Sequence, residues 1–369
     1  MKKLGLIVNP IAGMGGAVGL KGTDGKETLE KARVLGANTV APKRAKLFLS
    51  VLKPAKDEIL IVAAAGMMGA SEAQSTGFEY RAFGEVKDET SAQDTMNAAK
   101  IIMDEGVDLL VFCGGDGTAR NMMDAVGTQV PILGVPTGVK MHSAVFAFNP
   151  ESAASTAYRF LFEGLPLREA EVMDVDEEAF RGGRVSARLY GYVTTPYEPN
   201  LMQGTKVASP QTEDELRNQA AIAVYFIDKV MAPKVTYIVG PGTTTRTITD
   251  LLDQKKTLLG VDLLRDRRIV AHDVNEKEIL KRIQNKDARI VVTPIGGQGF
   301  IFGRGNQQIS PSVIRQVGIK NIIVVATKSK LRQQRSLRVD TGDPSLDEEI
   351  RGKINVIADY GEQYSMTVA

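Results

Sequence analysis

The stretch Val107-Asp108-Leu109-Leu110-Val111-Phe112-Cys113-Gly114-Gly115-Asp116-Gly117-Thr118, with Ala119-Arg120-Asn121-Met122-Met123-Asp124-Ala125-Val126 behind it, decides the fold. Residues 109–112 are a short apolar run of the kind that forms a buried strand. Residues 114–118 are too rich in glycine for strand or helix and predict a turn; residues 119–126 predict a helix. A strand–turn–helix unit aims the orphan N–H groups of a helix N-terminus at whatever lies above the turn, and they favour an anion. Gly114, Gly115 and Gly117 let a phosphate approach the main chain with no Cβ in the way. Asp116 is the odd member, because a carboxylate repels a phosphate unless it holds a metal or takes a proton. That conflict points to phosphoryl-transfer chemistry. The plain alternative is a tight turn in which Asp116 caps the next helix.

Outward from that stretch, strands and helices alternate. Residues 4–8 predict the first strand, ended by Asn9-Pro10, and a glycine-rich segment with Gly13, Gly15, Gly16 and Gly19 follows. This segment misses the P-loop spacing and comes within one residue of a dinucleotide fingerprint. A basic helix or turn is expected near residues 43–52, strands at 58–65 and 130–135, and a helix at 90–103. The strand at 130–135 closes on Pro136-Thr137-Gly138. Alternation of this kind implies a parallel sheet with its ligands at the carboxyl ends of the strands, where all these glycine turns lie.

Asn149-Pro150 marks the expected boundary between an N-terminal α/β domain, residues 1–148, and a mixed α/β domain, residues 149–369. A helix over 152–162 is followed by a predicted β-hairpin with strands at 169–180 and 185–195. A long amphipathic helix over 212–231 opens with Glu213, Asp214 and Glu215, as a helix N-terminus prefers. Strand–turn–helix units then return, at 234–239 with Gly240-Pro241-Gly242-Thr243-Thr244-Thr245, and at 288–294 with a glycine turn at 296–299. Gly242, Thr243, Thr244 and Thr245 offer N–H groups and hydroxyls where a helix begins, which suits either a phosphate or simple capping. Lys140 and His142 follow a strand-end turn and are further candidates for phosphate contact. Asp174 and Asp176 fall on one side of a strand, facing metal or solvent.

Composition narrows the function classes. Lys and Arg total 46 against 44 Asp and Glu, a balance that gives no electrostatic case for nucleic acid. No window approaches 18 apolar residues, so a transmembrane helix is not expected. The single cysteine excludes an intramolecular disulfide and fits a reducing cytoplasm; within an apolar strand, Cys113 reads as a buried thiol. The two histidines and lone cysteine have no zinc-site spacing, and no metal ligands are assigned.

The order Asn9-Pro10-Ile11-Ala12-Gly13-Met14-Gly15, Gly114-Gly115-Asp116-Gly117-Thr118, Gly134-Val135-Pro136-Thr137-Gly138 resembles the superfamily of NAD kinases and diacylglycerol-type lipid kinases. The whole chain is most similar to its ATP-NAD kinase-like branch, which includes the acetoin-catabolism X proteins. The hairpin resembles the opening of the β-rich second domain of these kinases. The resemblance implies a Rossmann-like first domain, a second α+β domain, and nucleotide phosphates held in the cleft between them. It implies ATP with Mg²⁺ as donor, lying against Gly114, Gly115, Gly117 and Thr118, with Asp116 as the catalytic base or hydroxyl-orienting group. Asn9, Gly13, Gly15, Gly16, Thr137, Gly138, Lys140 and Gly242–Thr245 complete the expected phosphate site. Pro136 stands where NAD kinases have Asn, and Asn275-Glu276 lies too far downstream to be carried over as their Asn-Glu pair.

The expected activity is therefore transfer of the ATP γ-phosphoryl group to a hydroxyl, with the NAD(H) 2′-hydroxyl first among acceptors. Alternatives are another small hydroxylated metabolite or a nucleoside as acceptor, or a protein that senses nucleotides without turnover. The expected partners are small nucleotides and further copies of the chain in a homo-oligomer, without nucleic acid or membrane.

Overall fold

The computed structural model describes residues 1–20, 26–87, 89–137, 141–175, 187–199, 201–202, 212–257, 259–295 and 299–369. The chain divides into two compact units, residues 1–14 with 22–205, and residues 15–21 with 206–369.

In the first unit five parallel strands, β1 (Lys2–Val8), β2 (Ile59–Ala64), β3 (Tyr80–Phe83), β4 (Leu109–Gly114) and β5 (Ile132–Pro136), lie in the order β3-β2-β1-β4-β5. Every residue of β2, β4 and β5 is buried, as a parallel sheet covered on both faces requires. Period-two alternation sorts the side chains. Leu4, Leu6, Leu109, Val111 and Cys113 meet α2 (Ala41–Leu52), α3 (Ala70–Thr76) and α6 (Pro150–Glu163) on one face. Ile7, Leu110 and Phe112 meet α4 (Ala92–Asp104) and α5 (Asp116–Val126) on the other. A capping box of Ser91 and Asp94 starts α4; Asn149 caps α6, whose end is set by Gly164 at φ 72°.

Two details differ from the sequence reading. The turn expected over 114–118 contracts to one residue. Gly114 pairs with Pro136 in the sheet and Asp116 already begins α5, because the missing Cβ of Gly114 leaves room for Thr118 against the strand end. The hairpin, β6 (Leu167–Val175) with β7 (Ala187–Pro196), falls within the first unit, whereas the expected boundary placed it in the second. Ala170, Val172 and Val193 join the core around α5, and that burial holds it there. The hairpin's turn lies outside the described residues.

In the second unit seven strands run β10 (Arg268–Ala271), β9 (Asp262–Arg265), β8 (Thr236–Val239), β11 (Ala288–Val292), β13 (Ile322–Val325), β15 (Gly352–Asp359), β16 (Glu362–Val368). β8, β11, β13 and β15 are parallel, and the flanking strands are antiparallel. β12 (Phe300–Phe302) and β14 (Arg338–Val339) form a separate pair. α7 (Glu213–Tyr225) packs on the face with Tyr237, Val239 and Val291; it is shorter than expected because the chain continues as a π-helical turn, Phe226–Val230. α9 (Glu276–Ile283) and α10 (Pro311–Val317) cover the other face. Residues 15–21 count with this unit, and Ala17 O accepts from Glu276 N at 3.2 Å.

Candidate active site

The strand order of the first sheet locates its site. From β1 the chain winds to β2 and β3 on one side, then crosses to β4 and β5 on the other. The connections after β1 and β4 therefore leave in opposite directions and open a crevice at the carboxyl ends of these neighbours. Asn9 spans it. Its N–H donates to Cys113 O (3.0 Å), its Nδ2 donates to Thr118 Oγ1 (3.1 Å), and its Oδ1 accepts from Ile11 N (3.3 Å).

The glycines of the two turns do different work. At Gly114 a Cβ would stand 2.4 Å from Thr118 Cβ, and at Gly13 (φ 80°) it would stand 2.0 Å from Thr137 O. These two are required by the protein's own packing. Gly115 is not: its backbone is extended (φ −114°, ψ −166°), which any residue adopts, and a Cβ there would meet nothing within 4 Å. The open space lies at the N-terminus of α5, where free N–H groups accumulate. Thr137 N donates to Gly114 O (3.2 Å), while its buried hydroxyl has no hydrogen-bond partner among the described residues. An unfilled cradle and an orphaned hydroxyl fit a bound phosphate, an acceptor-only group.

Asp116 does not cap α5; Gly115 occupies that position without a side-chain bond. The carboxylate is clamped from the other side. Oδ2 accepts from His142 N (2.8 Å), and Oδ1 accepts from Ser143 N (2.9 Å) and from Ser143 Oγ (2.6 Å). Ser143 is fully buried, and its Oγ in turn accepts from Met173 N at 3.0 Å, beside the register shift at which β7 carries one residue more than β6. Ala144 N donates to Glu171 O (2.8 Å) in the same contact. The hairpin thus holds the loop that aims the carboxylate. Sequence reading missed Ser143; the available signal was a small hydroxyl residue opening the apolar run Ala144-Val145-Phe146-Ala147-Phe148 just after a glycine turn.

Other candidates sort as follows. Asn9, Gly13, Gly114, Gly115, Asp116, Gly117, Thr118 and Thr137 belong to the first unit, whereas Gly15 and Gly16 are buried and count with the second. Gly138 and Lys140, with Asp176 and residues 296–298, lie outside the described residues. His142 contributes its main chain, and its side chain is buried. Asp174, expected to face metal or solvent, pairs with Arg120 and Arg188. In the second unit Thr245 Oγ1 donates to Gly240 O (2.8 Å), Thr243 Oγ1 accepts from Gln219 Nε2 (3.5 Å), and Thr244 Oγ1 accepts from Lys330 Nζ (3.2 Å). Arg304 is buried beside Asp340 and the Phe300 ring. Asn275 caps α9, accepting from Glu278 N (2.9 Å), and Glu276 accepts from Ser310 Oγ.

Two buried acids of the first unit are shifted. Burial pushes the Cys113 thiol well up, which keeps it a neutral core residue, and burial also raises Glu72 in α3, whose Oε2 has no partner among the described residues. Among the described residues no group of three or more His, Cys, Asp or Glu could hold a metal, and no helix is long and apolar enough to cross a membrane.

A parallel α/β unit whose glycine turns open at the carboxyl ends of neighbouring strands has the architecture of nucleotide-binding proteins. The comparison with known families narrows this. The ATP-NAD kinase N-terminal domain matches residues 4–164 and the ATP-NAD kinase C-terminal domain matches residues 233–368, so the chain belongs to the ATP-NAD kinase family. No curated protein and no solved structure matches it.

Proposed function

We propose that the protein transfers the γ-phosphoryl group of ATP to the ribose 2′-hydroxyl of NAD or NADH. The observation that carries this reading is Asp116, fixed by three donors beside a Gly115 turn whose open space no packing within its own unit requires. The triphosphate lies over the N-terminus of α5, against Gly115, Gly117, Thr118 and the Thr137 hydroxyl. The acceptor hydroxyl donates to Asp116, its oxygen bonds to the γ-phosphorus as the bridging P–O bond breaks, and ADP leaves with that electron pair. The hydroxyl proton passes to Asp116 and on to solvent. Phosphoryl transfer rests mainly on positioning and charge neutralisation, so a rigidly aimed carboxylate suits the task.

Mg²⁺ fits as an ion carried chiefly by the phosphates, with Asp116 the carboxylate at hand, since the described residues hold no metal site of their own. When bound it supplies charge neutralisation at the phosphates. The family's name supports the NAD assignment; Pro136 in place of the NAD kinases' Asn weighs against it. Incubating the protein with Mg-ATP and either NAD or NADH, then assaying NADP(H), tests the proposal. Product from either acceptor is expected. A preparation that binds ATP yet forms none from both retires NAD(H) as acceptor.

A further inference from the structure

The second unit carries a polar arrangement that its own packing does not complete. β8, β11 and β13 are adjacent and parallel, and their carboxyl ends run into Gly240-Pro241-Gly242, Thr293 and Ala326-Thr327. Gly242 has φ 129° and opens α8 (Thr243–Asp250); a Cβ on it would stand 2.6 Å from Thr293 Cγ2. Thr293 therefore sits against the entrance of that helix. Its residue is 2% exposed, and its hydroxyl has no partner among the described residues.

Lys330 reaches the same first turn from the β13 side. Its Nζ donates to Thr244 Oγ1 at 3.2 Å, and the residue is more than nine-tenths buried. An ammonium has three protons to place. Among the described residues only this one hydroxyl receives any, and no carboxylate forms an ion pair with it. Glu215 is near enough to favour the charge, but its Oε1 accepts from Thr327 Oγ1 (2.7 Å). The positive end of a helix is an unfavourable neighbour for a buried cation, and an unmatched buried charge is costly. A helix N-terminus, an under-used ammonium and an orphaned hydroxyl are all donors, and together they ask for an acceptor-only anion.

We infer that the α8 N-terminus, Lys330 and Thr293 form an anion site that takes a phosphoryl group and is built from residues of the second unit. The phosphate oxygens accept from the N–H groups of the first turn, from Lys330 Nζ and from Thr293 Oγ1. The inference does not depend on the kinase reading, because it concerns binding by a different unit.

The test uses the full chain and inorganic phosphate as probe, in a Gly115→Val background that fills the first-unit turn. Isothermal titration and the phosphate-induced rise in Tm are read with and without Lys330→Met or Thr293→Val. Phosphate binding is expected to survive Gly115→Val, to weaken at least tenfold with Lys330→Met and about fivefold with Thr293→Val. Thr293→Val removes a buried hydroxyl without a partner among the described residues, and Lys330→Met removes a buried charge with one acceptor, so the ligand-free Tm should hold or rise. Loss of all phosphate binding in Gly115→Val alone overturns the inference, as does undiminished affinity in Lys330→Met. A lower ligand-free Tm with phosphate affinity intact in both variants marks the cluster as internal support and overturns it too.

Discussion

Replacing Asp116 by Asn separates two roles that one residue combines. The amide keeps one oxygen and turns the other into a donor. With its oxygen toward Ser143 it still accepts from Ser143 N and Oγ, but its NH₂ then faces His142 N, 2.8 Å from the present Oδ2. The flipped amide faces Ser143 N instead. Either way one buried N–H loses its acceptor, at about 1–3 kcal/mol, and the remaining bonds lose their charge, at about 1 kcal/mol more. For a domain of this size that is a fall in Tm of about 5–15 °C without loss of the fold. Affinity for ATP without Mg²⁺ should hold or tighten, because a negative charge beside the phosphates is gone. Turnover should fall about a hundredfold or more. Calorimetry, ATP titration and the NADP(H) assay read the three quantities on one preparation. An unchanged Tm would refute the clamp, and unchanged turnover would remove Asp116 from the chemistry.

Further expectations follow from neighbouring geometry. Ser143→Ala leaves the carboxylate in place but removes one of the two donors to its Oδ1 and strands Met173 N; denaturant unfolding should report a loss of about 2–4 kcal/mol, and kcat should drop more than the KM for ATP rises. Gly115→Ala and Gly13→Ala should part company: the first keeps its Tm and loses ATP affinity, the second clashes with Thr137 O at φ 80° and is unstable before any ligand is added. Glu72→Gln should stabilise the chain at neutral pH. The raised carboxyl of Glu72 adds nothing adverse below about pH 4.5, its ordinary value, where it is protonated folded or unfolded, and it costs stability as pH climbs through the folded pKa. Denaturant curves for the pair should coincide in acid and separate on approach to neutrality, and a constant offset would exclude titration as the cause.

The first sheet was legible because buried parallel strands are short continuous apolar runs punctuated by glycine, and residues 109–112 are plainly one. Asp116 was legible for a chemical reason, a carboxylate where only donors belong. The clamp on it was not. Ser143 and Met173 lie 27 and 30 residues beyond Asp116 and Ser143 respectively, and no local periodicity encodes such a contact. Gly13 and Gly114 look like ligand glycines in sequence, yet their missing side chains are replaced by Thr137 and Thr118, a distinction only packing reveals. In sequence the threonines after Gly242 stand out for their hydroxyls. Those of Thr243, Thr244 and Thr245 bond within the second unit, whereas the hydroxyl left without a partner beside that turn is on Thr293, and the ammonium with a single acceptor is on Lys330, about 50 and 85 residues further along the chain.

The assignment of residues 15–21 to the second unit changes what a fragment of this chain can be. The backbone passes between the two units three times, after residues 14, 21 and 205, so neither unit is a continuous piece of sequence. During synthesis β1 and Asn9 emerge well before Glu276, and the segment immediately behind them waits for that residue, whose N–H donates to the carbonyl of Ala17. A truncation at residue 205 therefore leaves an unfinished thread beside the Gly13 turn. The ribosome must release more than two-thirds of the chain before that turn's neighbour is secured.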